Sequence, residues 1–156
     1  MTYRFEPMTT AAAEEIKNWR YEPPFDFYDL DADQDDLAEF MDERSWPDTF
    51  YAVHDECDSL AGFFVFQRKG TVADISLGLR PDLTGDGAGR QFVEAGLDFG
   101  AKTLGITSYC LEVAEFNARA VSLYRRVGFS ETRRFLQETN GGKFDFIRMV
   151  RPAPSD

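Results

Sequence analysis

An α/β domain is predicted from three features of the 156-residue chain. Stretches in which apolar and polar residues alternate, the period of a half-buried strand, are interleaved with stretches whose apolar residues recur every three or four positions, the period of a helix packed on a core. Gly, Pro and Asn-Gly punctuate the boundaries between them. A composition of 43% apolar residues, with 15 Phe, 6 Tyr and 2 Trp, supplies one sizeable core.

Tyr3 and Phe5 alternate with Arg4 and Glu6 in a first short strand over 2–7. Thr9 and Thr10 are candidate N-caps for a helix ending near Trp19, with Glu14 and Glu15 in its early turns and Pro23-Pro24 beyond it. Phe25 to Asp29 is an aromatic and acidic loop without a period. Asp35 to Glu43 reads as a second helix, with Leu37, Phe40 and Met41 on one face. Thr49–His54 and Ala61–Gln67 form a hairpin through a polar Asp55–Ser59 link. Val72–Leu79 is a strand ended by Pro81, and a glycine-rich loop over 83–90 feeds a helix running to about Thr103. Phe92, Ala95, Gly96 and Phe99 recur along that helix at helical spacing. Ser108–Val113 is a strand, and Asn117–Val127 a helix with Val121, Tyr124 and Val127 on one side and Gly128 as its C-terminal cap. Ser130–Thr139 and Lys143–Arg151 are strands joined at Asn140-Gly141, a strong hairpin signal. The order is βαα, ββ, β-loop-α, βα, ββ: seven strands and four helices in one domain over 1–151, with a short tail over 152–156. No linker, repeat or low-complexity tract divides it.

Composition narrows the function. Cys57 and Cys110 cannot make a disulfide framework, and no Cys/His cluster has the spacing of a metal site. The opening residues lack the basic and apolar regions of a signal peptide, and no run of about 18 apolar residues would span a membrane. These features lead us to expect a cytoplasmic protein that binds neither membrane nor metal. The net charge is −11, and it is lopsided: −13 over residues 1–60 and +2 over 61–156. Such acidity argues against phosphate-tracking nucleic-acid binding. It reads either as a solvated acidic face or as an acidic first part that attracts a cationic acceptor while the later part holds an anionic ligand.

The loop Leu83-Thr84-Gly85-Asp86-Gly87-Ala88-Gly89-Arg90 lies between a strand and a helix, where unpaired backbone N–H groups meet the positive end of the helix dipole. Gly85, Gly87 and Gly89 let a pyrophosphate approach the backbone closely. A Walker loop is excluded, because Gly89 is followed by Arg90-Gln91 instead of Lys-Ser/Thr. A dinucleotide fingerprint read from Gly87 needs a small residue where Phe92 stands.

Leu111, Val113, Asn117, Ala120, Leu123, Tyr124, Gly128 and Phe129 supply a second pattern, L-x-V-x-x-x-N-x-x-A-x-x-L-Y-x-x-x-G-F. Together with the glycine loop this resembles the GNAT superfamily of acyl-CoA-dependent N-acetyltransferases, specifically over residues 72–129 and by element order over nearly the whole chain. The twelve-residue separation of Glu112 and Tyr124 resembles the ribosomal-protein alanine acetyltransferases within it. Thr84 departs from the pattern, standing where the family has Gln or Arg. It keeps a hydroxyl but loses a cation, and Asp86 adds a carboxylate to the loop.

The resemblance implies a mixed, strongly twisted sheet with a cleft between two splayed parallel strands. Acetyl-CoA would be the acyl donor, its pantetheine arm pairing with the backbone of Leu77, Gly78 and Leu79. Its pyrophosphate would rest on the N–H groups of Thr84, Gly85, Asp86, Gly87, Ala88, Gly89 and Arg90, and Asn117 would both cap its helix and bond the arm. Tyr124 would be the acid that protonates the leaving thiolate and would contact the donor. An unperturbed tyrosine holds its proton to about pH 10, which suits that task. Plain core packing is the alternative for Tyr124, and plain N-capping for Asn117.

The acceptor ammonium must lose a proton before it attacks. Glu112, on the strand face opposite Leu111 and Val113, is the preferred base, with an Arg-paired structural carboxylate as its alternative. Asp74, relayed through water or Ser76, is the other candidate. His54 is expected to be structural, and Cys110, inside an apolar strand, is a poor nucleophile. The loop Tyr21–Asp36, with Phe25, Phe27, Tyr28 and six aspartates, favours a cationic amine such as a polyamine, an aminoglycoside-like amine or a protein N-terminus. The expected function is direct acetyl transfer to a primary amine of a small molecule or protein N-terminus. The alternative is a non-catalytic acyl-CoA-binding regulatory module, and both monomer and homodimer fit the sequence.

Overall fold

The computed structural model describes residues 2–84 and 87–153. Gly85 and Asp86, both assigned above to pyrophosphate binding, lie outside the described residues. Seven strands form one sheet: β1 (Arg4–Pro7), β2 (Phe50–His54), β3 (Leu60–Lys69), β4 (Val72–Leu79), β5 (Ser108–Ala114), β6 (Ser130–Thr139) and β7 (Gly142–Arg151). Their order is β1-β2-β3-β4-β5-β7-β6. Among the described residues only β4 and β5 run parallel, so the sheet is mixed. The four helices are α1 (Thr10–Lys17), α2 (Gln34–Met41), α3 (Ala88–Leu104) and α4 (Ala118–Arg126).

The two faces of the sheet carry separate cores. Phe64, Phe66, Ile75, Leu111, Ile147 and Met149 point to one face and pack with Phe92, Val93 and Leu97 of α3 and Val121 of α4. Phe50, Ala52 and Leu60 point to the other and pack with Ala13 and Ile16 of α1. Strand alternation makes this division, because successive side chains leave opposite faces. The helix α3 lies close on its face because Gly96 has no side chain: a Cβ there would stand 2.2 Å from the Phe64 ring.

Local signals set several boundaries. Thr9 caps α1, its hydroxyl accepting from the Ala12 amide at 3.1 Å. The helix stops at Lys17, short of Trp19. In place of the expected start at Asp35, α2 begins at Gln34, because the Asp33 carboxylate accepts from both the Asp35 and Asp36 amides. The aperiodic segment after Pro24 is a 3-10 turn, Phe25–Tyr28. Asn140 and Gly141 have φ of 52° and 76°, the pair of left-handed residues a type I′ hairpin turn requires.

Candidate active site

The parallel ladder between β4 and β5 is short. Val72, Ala73 and Asp74 pair with Ser108, Tyr109 and Cys110, and beyond them the strands part. The opening is the apex of a cleft of about 890 Å³ lined by both strands, the start of α3 and one side of α4.

Backbone direction along β4 follows from its pairing with β3. The Arg80 amide donates to the Ala61 carbonyl at 2.7 Å, so Arg80 faces β3 and, by alternation, Leu79, Leu77 and Ile75 turn their N–H and C=O groups toward the parting. No strand pairs with Leu77 there. The Leu79 carbonyl is taken by the Tyr21 hydroxyl, which donates to it at 2.7 Å. The Leu77 N–H and C=O and the Leu79 N–H therefore remain open to the cleft. Burial pushes the Tyr21 hydroxyl's pKa well above the ordinary phenol value, which keeps that donor protonated.

At the open end Gly87, with φ of 80°, is the N-cap of α3 and has no side chain to cap the first-turn amides, and no acidic residue stands in that turn. Gly87, Gly89 and Arg90 line the cleft, while Ala88 does not. Thr84 lines it too, but its hydroxyl proton is committed to the Pro81 carbonyl at 2.7 Å. The Thr84 hydroxyl thus holds the turn. Arg119 and Arg126 of α4 also line the cleft. Neither stood out in the sequence, because their spacing on α4 is that of any solvated helix face. Arg119 stacks on the Phe25 ring at 4.4 Å, and Arg90 pairs with Glu94 at 2.9 Å.

Tyr124 reaches the cleft from α4, its ring against Phe129 at a centroid distance of 5.9 Å. Its hydroxyl makes no hydrogen bond among the described residues. Burial, and secondarily the nearby Tyr28, raise its pKa well above 10, so it stays a protonated donor at any physiological pH. Asn117 does cap α4, its Oδ1 accepting from the Ala120 amide at 3.1 Å. Its Nδ2 donates to the Tyr28 hydroxyl at 3.2 Å, a contact across 89 residues. Tyr28, expected on the acceptor side as part of the aromatic loop, is a neighbour of both Asn117 and Tyr124.

Glu112, Asp74 and Arg148 meet on the face opposite the α3/α4 core, since each alternates with residues buried in that core. Arg148 bridges the two carboxylates, Nη1 to Glu112 Oε1 at 3.2 Å and Nη2 to Asp74 Oδ1 at 3.3 Å. Glu112 is thus Arg-paired, and both candidate bases belong to one cluster. Cys110 points to the same side, and burial together with Asp74 pushes its thiol up to about 11. His54, at the end of β2, has its Nδ1 buried without a hydrogen bond, 4.0 Å from Glu6, and does not line the cleft.

The acidic loop is not a charged wall of the cleft. Asp29 accepts from the Tyr21 amide at 2.9 Å, Asp31 pairs with Arg20 at 2.9 Å, and Asp33 accepts from the Asn140 amide at 3.0 Å and the Thr139 hydroxyl at 3.2 Å. None of the six aspartates from Asp26 to Asp36 lines the cleft. Their chemistry is local: the Asp33 contacts and the Asn140 Nδ2 bond to the Phe27 carbonyl at 2.7 Å pin this loop to the β6–β7 hairpin. The Asn140 amide, first among several donors, holds the Asp33 carboxyl below the ordinary aspartate value of 3.8. A carboxyl lowered on folding contributes its stabilisation above the unfolded pKa and loses it as pH falls through the lower folded value. We expect the Asn140 amide resonance in an NMR titration to shift with a midpoint below 3.8. A midpoint at or above that value would show the latch to be absent in solution.

The family model for the acetyltransferase (GNAT) family matches residues 12–129. Among solved structures, a chimera of the spermidine N-acetyltransferase SpeG from Vibrio cholerae and hSSAT superposes with a TM-score of 0.77 at 21% identity, covering 97% of this chain and 96% of that one. The Vibrio cholerae spermidine N-acetyltransferase in complex with CoA and spermine has a TM-score of 0.73 at 20% identity, covering 97% and 95%. A GNAT-family acetyltransferase from Bacillus anthracis has a TM-score of 0.73 at 12% identity, covering 97% and 95%. Among curated protein sequences none matches significantly. The structural likenesses, at such identities, concern the fold, whereas the family match spans most of the chain and includes the glycine loop, the parted strands and the helix bearing Tyr124: the chain belongs to the GNAT acetyltransferase family.

Proposed function

We propose that this protein transfers an acetyl group from acetyl-CoA directly to the primary amine of a small molecule. The observation that carries the reading is the parting of β4 from β5, which leaves backbone groups of Leu77 and Leu79 open in the same cleft as Tyr124. The residues present fit such a donor. An extended amide-bearing arm can take the place of a missing strand along Leu77, and the uncapped α3 terminus with Arg90, Arg119 and Arg126 suits phosphates. When bound, the donor supplies an activated thioester.

The protein's own groups do the rest. The Leu77 N–H faces the parting, where it can stabilise negative charge developing on the acyl oxygen. As the C–N bond forms and the C–S bond breaks, Tyr124 gives its proton to the departing sulfur. Glu112 or Asp74, through their oxygens not bound to Arg148, accept the proton lost by the amine, directly or through water. The latch pins to the β6–β7 hairpin the loop whose Tyr21, Phe25, Tyr28 and Leu30 line the cleft, and a wall fixed in this way favours a small acceptor over a folded protein's terminus. Coenzyme A titration and a thiol-release assay with a panel of amines test this. Saturable binding with thiol release on at least one amine is expected; binding without release on any amine would make the protein an acyl-CoA-binding module.

A further inference from the structure

We propose that the acceptor is a monoamine with an apolar, ring-sized body, and that Arg148 sets this preference by leaving the acceptor side with a single net negative charge. The inference deepens the acetyl-transfer reading and rests on it. Six charged residues line the cleft among the described residues, and they divide by face. Arg90, Arg119 and Arg126 come from α3 and α4. Asp74, Glu112 and Arg148 stand on the opposite face, where alternation along β4, β5 and β7 places them. With both carboxylates ionised and Arg148 between them, that cluster carries a formal charge of −1. One ammonium neutralises it.

The remaining acceptor-side lining is uncharged: Gln67 and Ser76 are polar, and the rest is mostly apolar. Ile16 and Trp19, near the end of α1, and Leu30 and Phe63 face the cleft and pack against the second core. The Phe63 ring sits over Gly78, where a Cβ would approach it to 2.2 Å, so the glycine is what admits this ring to the cleft floor. Glu112 is level with Ser76 across the opening, two residues from Gly78, a span of about 7 Å along a strand. An amine nitrogen at Glu112 whose substituent crosses the parting and runs along β4 meets the Phe63 ring over Gly78. A second or third ammonium on the same molecule would lie among these rings with no carboxylate to pair with, and the attraction of ring faces offsets only part of the cost of desolvating an ammonium. The six aspartates of the neighbouring loop do not supply that partner, since none of them lines the cleft, and Asp29, Asp31 and Asp33 are held by the Tyr21 amide, Arg20 and the hairpin latch.

Phenethylamine and spermidine separate the possibilities. We expect kcat/KM for phenethylamine to exceed that for spermidine by about tenfold or more. In Arg148→Gln the cluster becomes −2, and the ratio should fall by about tenfold toward the polyamine, with Arg148→Lys restoring it. Circular dichroism confirms that the variants are folded. Calorimetric binding of both amines to the protein with coenzyme A present reads the same preference without turnover. Tighter phenethylamine binding without acetyl transfer would sink the enzymatic reading and leave the pocket assignment standing. Preference for spermidine in the unaltered protein, an unchanged ratio in Arg148→Gln, or binding of neither amine overturns the inference.

Discussion

Changing Tyr124 to Phe should lower kcat by about 10²–10⁴-fold, the contribution of a positioned general acid, with little change in coenzyme A affinity. The substitution removes one oxygen and leaves the ring against Phe129. The hydroxyl has no partner among the described residues, so its loss breaks no structural hydrogen bond. Its pKa, raised by burial, bears on the pH profile as well. A tyrosine that holds its proton well above pH 10 does not limit activity in the neutral range, so the acidic limb of the unaltered enzyme should report ionisation of the base or the amine. The variant should retain that limb at a lower plateau. A variant with nearly unaltered kcat would return Tyr124 to core packing.

The largest effect on stability is expected from Phe64→Ala, a loss of about 3–5 kcal/mol, as for a large aromatic side chain removed from a packed core. The ring is 0% exposed. It stacks on Phe66 at 5.4 Å and meets Phe92 edge-on at 5.0 Å. Facing it is Gly96, which exists without a side chain so that α3 can lie on this ring. Loss of the ring leaves a hollow beneath the middle of α3, the helix whose first turn opens on the cleft. Chemical denaturation would show a lower midpoint at unchanged slope. Gly96→Ala is the converse defect, an overpacked contact costing about 1–3 kcal/mol. Should either variant match the unaltered protein, α3 does not rest on Phe64 in solution.

Much of this architecture is legible in residue order. Alternation along Ser130–Thr139 and Lys143–Arg151, with Asn140-Gly141 between them, is sufficient for the hairpin, because a type I′ turn admits few other residues. Boundaries were less legible where one side chain decides them: Asp33 moved the start of α2 by capping it, and several residues there could have done so. The segment Phe25–Tyr28 had no readable period because its rings answer to distant neighbours, Phe27 packing on Phe116 at 5.2 Å and on Phe144 at 4.9 Å. The candidate site divides in the same way. Tyr124, Asn117 and the glycine loop are carried by local spacing on one helix or turn. Tyr28, Arg119, Arg126 and Arg148 are ordinary residues until the sheet brings them to the cleft.

What the chain's own order determined was the set of seven strands and four helices, the family pattern and the groups capable of acid chemistry, all of which depend on contacts within a few residues. Tertiary structure alone decided that β7 enters between β5 and β6, and thereby that Arg148 lies between Asp74 and Glu112. It likewise decided that β4 and β5 part after three pairs, and that Asp33 of the acidic loop serves as a cap and a latch. Strand order and pairing length arise from the burial of faces against one another, a property of the assembled sheet that no single strand encodes.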